Sequence, residues 1–343
     1  MRLALDATAV SVAGKGISRV QASLAETLAR RGNVEVVALV RRGVQLAAPT
    51  ELVRSRPAVA WEQLGLVRAG RRFDLVLTPT ERLPVAPGGR FVVWLFETPM
   101  RRLAQNRRRG FYQRGSDLVT RALWQRSLRR AAAVVAGSRV TADELEAAVP
   151  QLAGSVRVVH PGVDREFRPA AHDASAAARY VFHLGSSDPR DNTQTVVSAF
   201  ALAQRRLREP VRLVVGGDLG DRRLAGVELV GRVSDEELAR LYGNAAAYLD
   251  ASLFEGFGYQ PLEAMACGAP VIASNAKAVT EVVGDAGVLC DPQNAEALAD
   301  ALVRVLQEPG LADELRRRGL ARAATFTWDK TAAAFEQLVD ELT

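Results

Sequence analysis

Cysteine is scarce in this chain of 343 residues, and long apolar runs are absent. The two cysteines, Cys267 and Cys290, are too few for a disulfide framework, and neither has a Cys or His neighbour at metal-site spacing. No stretch approaches the ~20 consecutive apolar residues of a membrane helix, and the N-terminus lacks the pattern of a cleavable signal peptide. We therefore expect a cytoplasmic protein without a membrane span, in which both cysteines are small core residues.

Aromatic residues are also sparse, at 6% of the chain, and no zinc-finger, RNP or helix-turn-helix pattern occurs. Nucleic acid is therefore not an expected partner. The chain has 48% apolar and 24% charged residues, a composition typical of a folded globular protein. Its length exceeds what one hydrophobic core usually holds, which predicts two domains.

The net charge of +6 is unevenly distributed along the chain. The segment from Arg101 to Arg130 carries ten arginines and one acid, Asp117, so its formal charge is +9 while the rest of the chain is −3. Two interpretations stay open. The segment is either a solvated loop followed by an amphipathic helix that Ser116 caps and that begins at Asp117, or a peripheral contact with an anionic membrane at its inner face.

Short β-rich runs alternate with helical patterns almost from end to end, which predicts an α/β fold with parallel sheets covered by helices. Twelve runs predict strands, six in each half: 2–10, 34–40, 73–77, 90–96, 132–136 and 156–160, then 180–184, 211–215, 227–230, 247–250, 270–273 and 287–289. Helical periodicity predicts helices over residues 18–30, 193–208, 235–242 and 328–342.

This pattern predicts two Rossmann-like, doubly wound domains in series. We expect an N-terminal domain over residues 1–165, a C-terminal domain over 166–327, and a final helix over 328–343 that packs back toward the N-terminal domain. The carboxyl ends of the strands should then face an interdomain cleft where ligands bind. Neither half contains a complete GxGxxG motif, so a dinucleotide-dependent dehydrogenase is not favoured.

The most informative run is SLFEGFGYQPLEAMACGAPVI at residues 252–272. A glycine loop follows a predicted strand, and Pro261 is expected at the first position of a helix. Backbone amides of residues 256–259 at such a helix N-terminus attract phosphate. Glu255 before the loop and Glu263, expected in the first helical turn, can accept hydrogen bonds from vicinal hydroxyls. A phosphate cradle between two hydroxyl-binding carboxylates predicts a nucleotide sugar as the ligand.

The same run resembles the EGFGxxxxEAMAxGxPVI signature of family 4 of the retaining glycosyltransferases, which have the two-domain GT-B fold. Four further segments are similar to the family and follow its order: HPGVD at 160–164, VGRVSDEEL at 230–238, VTEVVGDAG at 279–287 and FTW at 326–328. The resemblance implies transfer of a sugar, with retention of configuration, from a UDP, GDP or dTDP sugar to a hydroxyl of a saccharide, glycolipid or natural product. It implies no cofactor.

The resemblance also implies roles for single residues. Glu263 would bind the ribose hydroxyls and Glu255 the donor sugar. The other implied donor-binding residues would lie against the sugar and phosphates or flank the base: Gly16, Gly185, Ser186, Arg190, Arg232, Val233, Gly256, Phe257, Gly258, Tyr259 and Leu262. A glycine loop in the first domain, from Gly14 to Arg19 on the acceptor side, would close over the donor phosphate.

One departure from the family concerns the donor diphosphate. Typical members clamp it with an Arg and a Lys after the first strand of the second domain, and here Ser186 replaces the Arg and Asp191 the Lys. Charge-assisted donors stabilise a departing phosphate, so turnover requires another cation, and Arg190 is the leading candidate. Without one, the chain would be a non-catalytic nucleotide-sugar-binding or scaffold protein. A GT-B sugar-nucleotide epimerase is a further alternative.

A second departure lies in the first half. The family often has a His-Asp pair after a hydrophobic strand, where this chain has Phe96 and Glu97. Glu97 either contacts the acceptor or serves as an acid/base group, or it is only a polar residue at the strand end. The candidate catalytic residues are thus Glu255, Arg190 and Glu97. No aspartate pair of DxD type follows a strand, so we expect no dependence on a metal.

Overall fold

The computed structural model describes residues 1–11, 16–54, 58–86, 88–99, 111–169, 179–220 and 225–342. Its contacts divide the chain into two compact units. The N-terminal unit comprises Met1–Gly162 and Trp328–Thr343, and the C-terminal unit comprises Val163–Thr327. The chain therefore leaves the first unit after Gly162 and returns to it for its last helix.

The N-terminal unit contains a parallel sheet of seven strands in the order β3-β2-β1-β4-β5-β6-β7. The strands are β1 Arg2–Asp6, β2 Glu35–Val40, β3 Thr50–Leu52, β4 Leu75–Thr78, β5 Phe91–Leu95, β6 Ala133–Ala136 and β7 Arg157–Val158. Strands β4 and β5 are buried along their whole length, because helices cover both faces of such a sheet. The strand order reverses beside β1, which is where such sheets bind ligands.

The helices of this unit include one whose start differs from the prediction. They are α1 Ile17–Arg31, α2 Leu66–Arg72, α3 Phe111–Arg130, α4 Arg139–Ala148 and α11 Trp328–Glu341, with a π-helical turn at Trp61–Gly65 leading into α2. Helix α3 begins at Phe111, so the prediction that Ser116 caps a helix starting at Asp117 is wrong. No proline lies between Phe111 and Ser116, and the helix continues through the apparent cap.

The last helix, α11, packs within the N-terminal unit against α1. The buried ring of Phe335 meets the indole of Trp94 edge-on, with ring centroids 4.9 Å apart. Glu336 accepts hydrogen bonds from Arg31 Nε at 2.9 Å and from Arg31 Nη2 at 2.7 Å. A helix that follows the C-terminal unit in sequence is thus part of the core of the first unit.

The C-terminal unit contains a parallel sheet of six strands in the order β10-β9-β8-β11-β12-β13. The strands are β8 Tyr180–Leu184, β9 Arg212–Gly216, β10 Glu228–Gly231, β11 Ala247–Leu249, β12 Val271–Ser274 and β13 Val288–Cys290. The helices are α5 Thr193–Gln204, α6 Asp235–Gly243, α7 Tyr259–Ala266, α8 Lys277–Val283, α9 Ala295–Gln307 and α10 Leu311–Ala323. Within the described residues, no helix is both long and apolar enough to cross a bilayer.

Candidate functional site

The glycine loop lies at the carboxyl edge of the C-terminal sheet, between β11 and α7. Gly258 precedes the helix with a φ of 106°, a conformation that strongly favours glycine. The helix begins at Tyr259, so Pro261 is its third residue and not its first as predicted. Proline is tolerated there because the first four amides of a helix have no partner within it. Glu263 is the fifth residue and lies just beyond the first turn, which corrects that prediction as well.

The two candidate carboxylates lie before and after the glycines of the loop and differ in burial. Glu263 is only 3% exposed, and Glu255 is half-buried. Burial is the main cause that raises the pKa of Tyr248, and the charges of both glutamates raise it further. The Tyr248 hydroxyl also donates a hydrogen bond to Gln260 Oε1 at 2.9 Å. Glu255 in the loop and Glu263 in α7 thus stand on either side of the helix start at Tyr259.

Two other side chains of this run, Phe257 and Leu262, pack inside the C-terminal unit. The Phe257 ring is buried and packs against Phe326, with centroids 5.9 Å apart. Leu262 is fully buried. A Cβ on Gly258 would lie 3.4 Å from Val279 Cα, so the loop is held close to α8. That the backbone of this run faces the donor stays a prediction.

The loop after β8 holds the residues that occupy the positions of the family's cationic clamp. Ser186 Oγ accepts a hydrogen bond from the Asp188 amide at 3.1 Å. Burial is the main cause that raises the pKa of the Asp191 carboxyl. Asp188 accepts hydrogen bonds from Arg190 Nε at 3.0 Å and from Arg190 Nη2 at 2.8 Å, both at Oδ2. The hydrogen bond from Arg190 is the main cause that lowers the pKa of Asp188. Arg190 is thus the cation on this loop.

Backbone hydrogen bonds join three loops along this edge of the sheet. Leu253 N donates to Arg190 O at 2.8 Å, which links the β8 loop to the run before Glu255. Ser187 N donates to Asp218 O at 2.8 Å, and Asp218 Oδ2 accepts from Arg232 Nη2 at 2.8 Å. The donor-side residues after β8, β10 and β11 therefore form one connected edge.

Sequence reasoning missed a buried acid at this edge. Asp250 follows β11 and is completely buried, and Asp250 Oδ1 accepts a hydrogen bond from Ser252 Oγ at 2.6 Å. Its other oxygen, Oδ2, has no hydrogen-bond partner. Burial raises the pKa of Asp250 to about 6. The sequence signal that could have predicted this buried acid is its position as a single acid at the end of an apolar strand pattern.

Asp188 and Asp218, which hold the two candidate arginines, were missed as well. The dipeptide Asp188-Pro189 was a readable signal, because Asp is a preferred cap and Pro a preferred first residue of a helical turn. It opens the 3₁₀ turn Pro189–Asp191. Asp218 follows β9 in a loop that has no such pattern, and only the tertiary structure joins it to Arg232.

The acceptor-side candidates lie in the N-terminal unit, and their distance from the donor-side residues stays a prediction. Glu97 is half-buried and follows β5 by two residues. Gly16, with a φ of 60°, directly precedes α1, which carries Arg19. Gly14 lies outside the described residues, as do residues 100–110 of the basic segment.

A buried acid at the carboxyl end of β1 was not predicted. Asp6 accepts hydrogen bonds from Thr8 Oγ1 and Thr78 Oγ1, each at 2.8 Å. Burial raises the pKa of Asp6 despite these bonds. Asp6 lines a small pocket, of about 10 Å³, together with Gln21 and Trp94. Across the ranges that the structure describes, no group of three or more His, Cys, Asp or Glu residues is arranged to hold a metal ion.

Two Rossmann-like units in series, the second with a glycine loop at its ligand-binding edge, define a GT-B protein. The chain is similar over 99% of its length to sucrose-phosphate synthase from Thermosynechococcus elongatus, with a TM-score of 0.77, 23% identity and 98% of that chain covered. It is similar in the same way to Anabaena HepE in complex with UDP-glucose, with a TM-score of 0.72, 17% identity and 99% of each chain covered. The predicted fold class is confirmed.

The sequence profile of the glycosyl transferases group 1 matches residues 164–322, and that of glycosyltransferase family 4 matches residues 14–167. The chain therefore belongs to the family 4 type of glycosyltransferase, which confirms the resemblance drawn from the glycine loop.

Curated relatives match part of the chain. O-antigen chain mannosyltransferase B of Escherichia coli is 33% identical over 162 residues, which are 44% of this chain and 42% of that protein. D-inositol 3-phosphate glycosyltransferase of Streptomyces bingchenggensis is 35% identical over 234 residues, which are 59% of this chain and 51% of that protein. The chain thus spans about half the length of these relatives.

Proposed function

We propose that this chain is a retaining glycosyltransferase that moves a sugar from a nucleoside diphosphate sugar to a hydroxyl of a saccharide, glycolipid or natural product. The observation that carries the proposal is the placement of Glu255 and Glu263 on either side of a glycine loop at the N-terminus of α7. Carboxylates accept hydrogen bonds from ribose and sugar hydroxyls, and a helix N-terminus attracts the diphosphate between them. The names of the relatives, a mannosyltransferase of an O-antigen chain and an inositol 3-phosphate glycosyltransferase, support saccharide or inositol phosphate acceptors.

Leaving-group stabilisation would supply most of the catalysis. The bond between the sugar and the diphosphate breaks as the acceptor oxygen bonds to the sugar, and negative charge grows on the departing diphosphate. Loop amides and the guanidinium of Arg190 would stabilise that charge. In the N-terminal unit, Glu97 would contact the acceptor or take its proton, and the loop from Gly14 to Arg19 would lie over the donor phosphate.

Substitution of the two glutamates tests the proposal. Wild type, Glu255→Gln and Glu263→Gln are compared by thermal shift with UDP, GDP, dTDP and ADP and their sugars, and by release of nucleoside diphosphate with a panel of methyl glycosides as acceptors. Glu296→Gln changes an exposed glutamate of the same unit and serves as the control. We expect both loop variants to lose binding and turnover while the control keeps them. Unchanged binding in both loop variants would contradict the proposal.

A non-catalytic sugar-nucleotide binder is the second candidate, and the uncharged Ser186 and the acidic Asp191 at the positions of the cationic clamp favour it. Arg190→Gln separates the two functions. An enzyme loses turnover far more than affinity, whereas a binder shows no turnover in either form. Analysis of the sugar nucleotide after incubation without an acceptor reveals an epimerase, because a new sugar would then appear on the nucleotide.

Metal independence is part of the proposal and has a direct test. The expected donor set consists of backbone amides and an arginine, which stabilise phosphate charge without a bound ion. Turnover should therefore persist after dialysis against EDTA and should not rise when Mg²⁺ or Mn²⁺ is returned. Loss of turnover in EDTA that a divalent ion restores would contradict it.

A cytoplasmic location with peripheral contact at the inner membrane face is a further part of the proposal. The exposed arginines Arg126 and Arg129 end the basic segment, and Arg130 Nη1 donates to the carbonyl of the exposed Val85 at 2.9 Å. Binding to vesicles of phosphatidylglycerol but not phosphatidylcholine is expected, and it should weaken with salt and in the variant Arg126→Gln/Arg129→Gln. The measurement is the fraction of protein that sediments with the vesicles. Equal fractions with both lipids would contradict the proposed membrane contact.

A further inference from the structure

Asp188 uses its two carboxylate oxygens for two different tasks. Oδ1 accepts the backbone amide of Arg190 at 2.9 Å, which caps the 3₁₀ turn Pro189–Asp191. Oδ2 accepts from Arg190 Nε and Nη2. One acid therefore orders both the backbone and the guanidinium of the arginine two residues later.

The loop that carries this pair is itself held at fixed points. The residue before Asp188 donates its amide to Asp218 O, and the carbonyl of Arg190 accepts the amide of Leu253, each at 2.8 Å. Leu253 precedes Glu255 by two residues, so the guanidinium and the sugar-binding carboxylate are carried on loops that are bonded to each other. The side chain of Arg190 is 37% exposed and therefore accessible to a ligand.

The charges along this loop make the orientation of Arg190 important. Residues 185–192 read GSSDPRDN, in which Arg190 is the one cation. Ser186 Oγ accepts the amide of Asp188 at 3.1 Å, and burial raises the pKa of the Asp191 carboxyl. Electrostatic catalysis requires donors that already point to the developing charge, and an unrestrained arginine samples many rotamers. The neighbouring acid removes that freedom.

We infer that Asp188 is a positioning residue, which holds the guanidinium of Arg190 in place for the departing diphosphate of the sugar donor. This inference rests on the proposed function. Asp188 acts through Arg190 and does not itself contact the donor.

Asp188→Asn is the informative substitution. Asparagine keeps an oxygen that caps the Arg190 amide, but its carboxamide nitrogen no longer accepts from the guanidinium. Asp188→Ser, which also keeps a capping oxygen, is the second variant. Asp300→Asn is the matched control, because Asp300 pairs with Arg206 on the surface of the same unit, away from the glycine loop. Thermal midpoints show that each variant is folded.

The readout is kcat and donor KM for the sugar nucleotide that the wild type turns over fastest among the UDP, GDP, dTDP and ADP sugars. We expect Asp188→Asn to lower kcat about tenfold with less than about a threefold change in KM. The Arg190 guanidinium would lose its fixed orientation, and that orientation matters most in the transition state, where negative charge grows on the diphosphate. Arg190→Gln should lower kcat about a hundredfold. Adding Asp188→Asn to Arg190→Gln should have no further effect, and Asp300→Asn should match the wild type.

Two results overturn the inference while leaving the proposed function intact. One is a wild-type kcat in both Asp188 variants. The other is a loss of kcat in Asp188→Asn that persists undiminished in the Arg190→Gln background, because a purely structural role would not depend on the guanidinium. A wild type that turns over no sugar nucleotide of the panel overturns the proposed function, and the inference with it.

Discussion

At the scale of single residues, the donor-side edge depends on glycines where two chain segments almost touch. A Cβ on Gly185 would lie 2.5 Å from Thr193 Oγ1 and 2.9 Å from His183 Nε2. Both neighbours are buried and hydrogen-bonded to each other at 3.1 Å, so neither can move without losing that bond. Gly185 is therefore required for the packing of β8 against the start of α5, in addition to any contact with a donor.

Gly185→Ala is expected to lower the free energy of unfolding by about 1–3 kcal/mol, because the added methyl group overpacks this contact. Gly243→Ala is the matched control. Gly243 is the last residue of α6, and its added Cβ would meet only Cys267 O at an ordinary 3.4 Å. That change should be neutral or slightly stabilising, because alanine is the better helix former. Urea denaturation compares the two, and equal effects would contradict the argument.

The buried acid Asp250 makes a pH-dependent contribution to stability. Its pKa is raised to about 6 by burial, so deprotonation costs more in the folded than in the unfolded chain. The stability that this group contributes is present below its unfolded pKa of about 3.8 and is lost as the pH rises through about 6. The stability that His183 contributes depends on pH in the opposite direction. Burial lowers its pKa to about 4, so its contribution is present above pH 6.5 and is lost as the pH falls toward 4.

Asp250→Asn isolates the acid's contribution, because His183 titrates equally in both proteins. Between pH 5 and pH 7.5 the wild type should lose about 1 kcal/mol more stability than the variant. The measurement is the urea midpoint of each protein at both pH values. Identical pH dependence in the two proteins would show that Asp250 does not titrate in this range.

At the scale of elements, α11 is the segment whose position depends most on distant residues. Its inner face consists of buried side chains, including Phe335, Leu338 and Val339, and its Glu336 pairs with Arg31 of α1. The 3.6-residue period of residues 328–342 predicts an amphipathic helix. The partner for that face is far away in the sequence, because α1 precedes it by some three hundred residues.

Phe335→Ala should lower the stability of the N-terminal unit by about 3–5 kcal/mol, because it leaves a cavity beside Trp94. Tryptophan fluorescence during urea denaturation reports the loss, since Trp94 contacts the deleted ring. Gln337→Ala, an exposed change on the same helix, should shift the midpoint by much less. Similar shifts for both variants would mean that the inner face contributes little.

All twelve strands predicted from apolar runs are present. The central strands, such as β4 and β5, have the clearest runs because both of their faces are buried. The additional strand β3, Thr50–Leu52, was missed because it is a short edge strand without such a run. Helix ends were less predictable. The predicted helix over 193–208 ends at Gln204, and α3 begins six residues before its predicted start. Helix ends are the least well-defined part of a helix, so a local sequence pattern does not fix them.

At the scale of the whole molecule, the tryptophans distinguish the two units. All four of them, Trp61, Trp94, Trp124 and Trp328, belong to the N-terminal unit. The predicted nucleotide site lies in the C-terminal unit, which contains four of the five tyrosines and no tryptophan. Fluorescence therefore follows the unfolding of one unit, and far-UV circular dichroism follows both.

A nucleoside diphosphate at about a hundred times its Kd should stabilise the unit that binds it by about 3 kcal/mol. The circular dichroism transition should gain a component at higher denaturant, while the tryptophan transition should stay in place. Glu263→Gln should abolish the effect. A parallel shift of both signals would mean that the units unfold together, and a shift of the tryptophan signal alone would assign the nucleotide to the N-terminal unit.

The sequence by itself determined the fold class, the run of twelve strands and the glycine loop with its two glutamates. These features are local, because a strand period, a glycine at positive φ and a helix N-terminus each depend on a few neighbouring residues. Only the tertiary structure decided that the Arg190 carbonyl meets Leu253 of the run before Glu255, that Asp218 holds Arg232, and that Asp250 is buried. Side-chain pairing and desolvation depend on which loops meet at the sheet edge, and that information is spread over residues far apart in the chain.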